Sequence, residues 1–65
     1  MKLNTTKIVL ILADREMTRA ALAEACGISR QNLSTIMTRG TCAPKTAGKL
    51  AKGLGVEVLE IIKED

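Results

Sequence analysis

Two residues, Gly27 and Ile28, are all that separates one helical pattern from the next in "ALAEACGISRQNLSTIMTRG", and this short link constrains the fold more than any other feature. Upstream, Leu22, Ala25 and Cys26 recur at helical spacing after Thr18, a residue suited to an N-cap. Gly27 suits the left-handed position that closes such a helix, because glycine has no side chain to clash there. Ser29 then offers the next N-cap, and Leu33, Ile36 and Met37 resume the spacing. A connection this short forces the second helix to turn sharply away from the first, with Ile28 filling the corner. The spacing therefore predicts a helix-turn-helix.

The rest of the chain follows the helical period, and no segment alternates as a half-buried strand does. The expected fold is all-α, a compact bundle of five short helices at about 5–15, 18–26, 30–38, 44–54 and 57–63, forming one domain over 1–65. The first helix starts after Asn4 or Thr5 and buries Ile8, Ile11 and Leu12. Its run "IVLIL" also fits a buried strand, but nothing else in the chain is suited to pair with it. Val9 and Leu10 exceed what one face requires and are left for exposure or self-association. Pro44 suits the first turn of the fourth helix, where its missing N–H costs nothing, and Gly55 stops it after Ala47, Leu50, Ala51 and Leu54. Gly48 and Gly53 weaken that helix by up to ~1 kcal/mol each relative to Ala. Either they permit close packing or they are tolerated. Val58, Leu59, Ile61 and Ile62 make the last helix, with Val58, Leu59 and Ile62 closing the core in preference to forming a dimer face, before the polar tail "KED".

Composition removes several classes of function. With no Phe, Tyr or Trp, the chain lacks the platforms on which single-stranded bases stack. Having no His, it lacks the commonest general acid-base and metal ligand. Cys26 and Cys42 form no CxxC pair and read as small buried hydrophobes in a reducing compartment, a disulfide between them being the alternative. No nucleophile-base pairing or metal motif is readable, so the chain is expected to be no enzyme and to need no metal and no cofactor. The apolar run at 8–13 is too short to span a bilayer and has no small-residue cleavage site, which implies a cytoplasmic protein with no membrane partner.

Charge is distributed unevenly. The net +3 divides into +1 over residues 1–29, +5 over 30–55 and −3 over 56–65. The middle segment carries Arg30, Arg39, Lys45, Lys49 and Lys52 and no acid at all. A uniformly basic stretch of this kind suits an anionic partner, of which a phosphate backbone is the commonest.

The third helix lies inside that stretch. With Leu33, Ile36 and Met37 inward, ~100° per residue puts Gln31, Thr35 and Thr38 outward, Arg30 and Ser34 to one side and Asn32 and Arg39 to the other. Glu and Lys would form a helix better and solvate it as well. Amides, guanidinium and hydroxyls instead match base edges in the major groove: Gln or Asn to adenine, Arg to guanine, and the Thr methyl to thymine. Around this face, the helix starts at Thr18 and Ser29 present N–H groups and hydroxyls suited to phosphate oxygens, and Arg19, Arg39, Lys45 and Lys49 supply charge. Asn32 suits either capping or a phosphate contact.

These residues resemble the Cro/repressor-type helix-turn-helix family, often called XRE, whose best-known members are relatives of the phage lambda repressor. "MTRAALAEACGISRQNLSTIMTRG" followed by "PKTAGKLAKGLGVEVLEII" is similar to the family pattern over nearly the whole chain. Ala23 matches its small residue at the helix contact, Gly27 its turn, and Leu33 and Ile36 its core pair. The resemblance implies base contacts from Arg30, Gln31, Ser34 and Thr35 and backbone contacts from Thr18, Arg19 and Ser29. Three departures stand out: "IMTRGT" runs about one residue longer than the commoner exit of the recognition helix, position 53 is Gly where Ala is frequent, and Glu57 stands where Ser or Asp often caps. The function implied is that of a sequence-specific double-stranded DNA-binding regulator, a repressor acting as a homodimer on DNA. A protein-interaction module, such as an antitoxin or antirepressor for which DNA is secondary, is the other reading, supported by Val9, Leu10, Val58 and Ile61.

Overall fold

The computed structural model describes residues 1–63 and contains four helices: α1 (Thr5–Asp14), α2 (Arg19–Cys26), α3 (Arg30–Arg39) and α4 (Pro44–Leu54). The all-helical class and the helix-turn-helix agree with the sequence reading, and each boundary has a local cause. Asn4, rather than Thr5, caps α1 by accepting from the Lys7 N–H at 3.0 Å. Thr18 and Ser29 do the same for α2 and α3, accepting from the N–H groups of Ala21 and Asn32, each at 3.0 Å. Caps of this kind contribute roughly 1 kcal/mol apiece. Pro44 opens α4 at its first position without a side-chain cap.

The turn between α2 and α3 has the geometry its sequence implies. Gly27 sits at φ 73°, and the Ile28 and Gly27 N–H groups donate to the carbonyls of Ala23 and Glu24 at 3.0 and 3.2 Å, a paired closure of the last turn. α1 ends with the same two bonds, Met17 to Leu12 and Glu16 to Ala13. There, however, Glu16 holds the left-handed position, at φ 52°. α3 runs through Arg39, one residue beyond the expected end, before Gly40 closes it.

The expected fifth helix over 57–63 is a correction. Only Val58–Glu60 is helical, as a single 3-10 turn in which the Glu60 carboxylate accepts from the Glu57 N–H at 3.1 Å. Beyond it the backbone leaves the helix because its groups bond elsewhere: the Asn4 N–H donates to the Ile61 carbonyl at 2.8 Å and the Lys63 N–H to the Lys2 carbonyl at 2.9 Å. The other side of the same N-terminal segment is stitched to the exit of α3, with Leu3 N–H to Gly40 carbonyl at 2.8 Å and Cys42 N–H to Met1 carbonyl at 3.1 Å. Residues 1–4 thus form an extended strap between two other segments, through single antiparallel bridges at Lys2 with Thr41 and Leu3 with Ile62. The end of the tail "KED", Glu64 and Asp65, lies outside the described residues.

The core is wholly aliphatic and sulfur-containing, and no polar or charged residue is buried among the described residues. Leu22, Leu33, Leu50, Leu54, Ile8 and Ile61 are its largest fully enclosed side chains, each stabilising the fold by ~1.5–3 kcal/mol. The inward stripes shift slightly from those expected. Ile11 is only half-buried, Ala23 takes the buried place expected for Ala25, and Leu59 is 73% exposed instead of closing the core. A 3-10 turn eclipses i with i+3, so Val58 and Ile61 face the core together and Leu59 is turned out. Ile61, counted above toward an interaction surface, is fully enclosed. Leu3, which follows no period, is buried by the strap.

α2 packs most extensively against α4, and Gly53 is the reason they approach so closely. A β-carbon there would meet Cys26 Sγ and Leu22 Cδ1. Gly48, by contrast, faces open space. Cys26 is buried and Cys42 half-buried, both as free thiols.

Candidate nucleic-acid interface

α3 is held from beneath by Leu33, Ile36 and Met37, all buried, while every other residue from Arg30 to Arg39 is exposed. The inward spacing therefore fixes which side chains face out. Gln31, Ser34, Thr35, Thr38 and Arg39 together line a shallow open depression of about 310 Å³. Arg30 and Asn32 are exposed on the same helix but do not line it. Thr38 belongs to neither set of contacts inferred from the sequence, yet it lies beside them; its place seven residues after Gln31 and three after Thr35 is the signal that puts it there.

The polar groups of this face are mostly uncommitted. Among the described residues, the side chains of Arg30, Gln31, Asn32, Ser34, Thr38 and Arg39 form no internal hydrogen bond or ion pair. Thr35 is the exception, its hydroxyl donating to the Gln31 carbonyl at 3.0 Å. The N-cap oxygens of Thr18 and Ser29 accept from their own helices, which leaves each hydroxyl proton available, along with the backbone N–H groups at the first two positions of α2 and α3. Arg19 is exposed at the start of α2. Lys45 and Lys49 are exposed one turn apart on α4, outside the depression.

A helix with an enclosed apolar underside and a largely unpaired polar outer face, lying in a basic stretch of sequence without acids and presented by a tight glycine turn, defines a helix-turn-helix DNA-binding domain. The chain belongs to the Cro/C1-type HTH DNA-binding domain family, whose model matches residues 7–63. Comparison with curated proteins and with solved structures returns no match. Among the described residues, no helix is long and apolar enough to cross a membrane, and no group of three or more His, Cys, Asp or Glu side chains could hold a metal ion.

Proposed function

We propose that this protein is a sequence-specific transcriptional repressor of the cytoplasm that binds double-stranded DNA as a homodimer with α3 in the major groove. Arg30, Gln31, Ser34 and Thr35 read base edges, while Thr18, Arg19, Ser29, Asn32, Arg39, Lys45 and Lys49 hold the phosphate backbone. The observation that carries the reading is the outer face of α3, polar, exposed and almost free of internal bonds, on the second helix of the turn. One such helix reaches few bases, so two copies on half-sites about one helical turn apart supply the rest of the specificity. Selection of duplex sites followed by titration against selected and random DNA at several salt concentrations tests this. Enriched sites of two-fold symmetry and affinity that falls with salt are expected; binding insensitive to salt, or no preference after selection, overturns it.

A second reading, a protein-interaction module of the antitoxin or antirepressor kind, is supported by Leu10 at 62% and Leu59 at 73% exposure. It predicts capture of the product of a neighbouring gene by a protein that does not shift its own upstream DNA.

A further inference from the structure

Thr35 differs from its neighbours on the outer face of α3. Its hydroxyl donates to the Gln31 carbonyl one turn back, at 3.0 Å, whereas Gln31, Ser34, Thr38 and Arg39 keep their side-chain donors free among the described residues. A threonine hydroxyl has one proton, so this bond removes its only donor. It also selects a rotamer. With Oγ1 turned toward the preceding turn of the helix, the γ-methyl is held in a different staggered position and the side chain is stiff about χ1. Thr35 is exposed and forms part of the depression lined by Gln31, Ser34, Thr38 and Arg39.

We propose, resting on the reading of α3 as the groove-entering helix, that Thr35 selects thymine by packing its γ-methyl against the 5-methyl group and donates no hydrogen bond to a base. The thymine methyl is the one apolar group that the four bases present in the major groove. Guanine offers N7 and O6 there, acceptors that need a donor Thr35 no longer has. The free amide of Gln31 and hydroxyl of Ser34 are left to read the polar edges beside it. The division of labour on the face is therefore methyl recognition at Thr35 and hydrogen bonding around it.

The test uses the full chain and a duplex selected with it. Affinities of the wild type, Thr35→Val and Thr35→Ser are measured on that duplex and on versions in which each thymine in turn is replaced by deoxyuridine, which deletes the methyl and keeps the pairing. Valine keeps a methyl and loses the oxygen; serine does the reverse. One thymine is expected to cost the wild type about fourfold when demethylated, as for one methyl group removed from contact. Thr35→Val should show the same loss at the same position and Thr35→Ser none. If no thymine responds, or if serine retains the response and valine loses it, the inference is overturned while α3 remains the reading helix. Failure of the wild type to select any duplex overturns the reading of α3 itself, and this inference with it. Thermal melts of both variants, changed only at an exposed position, check that each is folded.

Discussion

The thiol of Cys26 and the backbone of Gly53 meet so closely that a β-carbon built on residue 53 would lie 2.6 Å from Sγ. Leu22 Cδ1 at 3.2 Å closes one side of the same space, and the β-carbon of Ala25, at the rim of the contact, lies 3.5 Å away. Gly53→Ala should therefore destabilise the protein even though alanine is the better helix former. Overpacking costs ~1–3 kcal/mol against a propensity gain of up to ~1 kcal/mol, for a net loss of up to about 2 kcal/mol. Adding Cys26→Ala vacates the space, so the double variant should recover most of the loss. Urea denaturation of the four proteins in the cycle measures this, and additive effects would show that the two positions do not touch.

Glu16 holds a left-handed conformation that its side chain makes costly, at the position where α2 and α4 both have glycine. Glu16→Gly relieves ~1–2 kcal/mol of backbone strain and adds ~0.5–1 kcal/mol of unfolded-state freedom. A net gain near 0.5–1 kcal/mol is expected, visible as a melting temperature several degrees higher. A lower melting temperature would mean that the Glu16 side chain stabilises the turn by more than its backbone costs.

Both thiols are harder to ionise than a free cysteine. Burial pushes Cys26 up, partly offset by the Gly53 N–H, and burial pushes Cys42 up, partly offset by the amino-terminal charge. Unfolded thiols lose their protons near pH ~8.5, before the folded ones do. The contribution of these groups to stability is thus complete below that pH and falls as pH rises through their raised folded values. Stability measured from pH 7 to 10 should decline above ~8.5, and less steeply in Cys26→Ala. At neutral pH a thiol-specific reagent should label half-buried Cys42 well before Cys26, which is 8% exposed.

On DNA, two kinds of substitution should separate cleanly. Gln31→Ala is expected to keep the fold and the salt-dependent background binding while losing ~1–3 kcal/mol of discrimination at one base pair. Lys49→Ala should instead weaken all sequences alike and reduce the salt slope by about 1. Competition titrations against single-base variants of a selected site, repeated at two salt concentrations, measure both. Uniform weakening by Gln31→Ala would make that residue a positioning contact.

What could be read from the sequence was local. Thr18, Gly27, Ser29, Pro44 and Gly55 act on backbone groups a few residues away, so α2, α3 and α4 could be delimited within a residue, and the inward trio of α3 settled its outer face. The "VEVLEII" segment was misleading for the opposite reason. Its spacing is helical, but the bonds that decide its conformation go to residues 2–4, almost the whole chain away. Leu3 gave no signal because a single apolar residue ahead of a helix has no period. The hydroxyl of Thr35 was equally out of reach, since a rotamer is chosen in three dimensions. The departure at position 53 becomes legible only beside Cys26, whose sulfur occupies the space an alanine would take.

The strap of residues 1–4 has a consequence for the order of events during synthesis. Asn4 and Lys2 find their partners in Ile61 and Lys63, and Leu3 holds the carbonyl of Gly40 at the exit of α3. On a ribosome adding ~5–20 residues per second, Asn4 and Lys2 therefore wait for the last residues of the domain before both sides of the strap are bonded. Until residue 63 has emerged, the strap is bonded on one side only, and the exit of α3 rests on a support that is still incomplete.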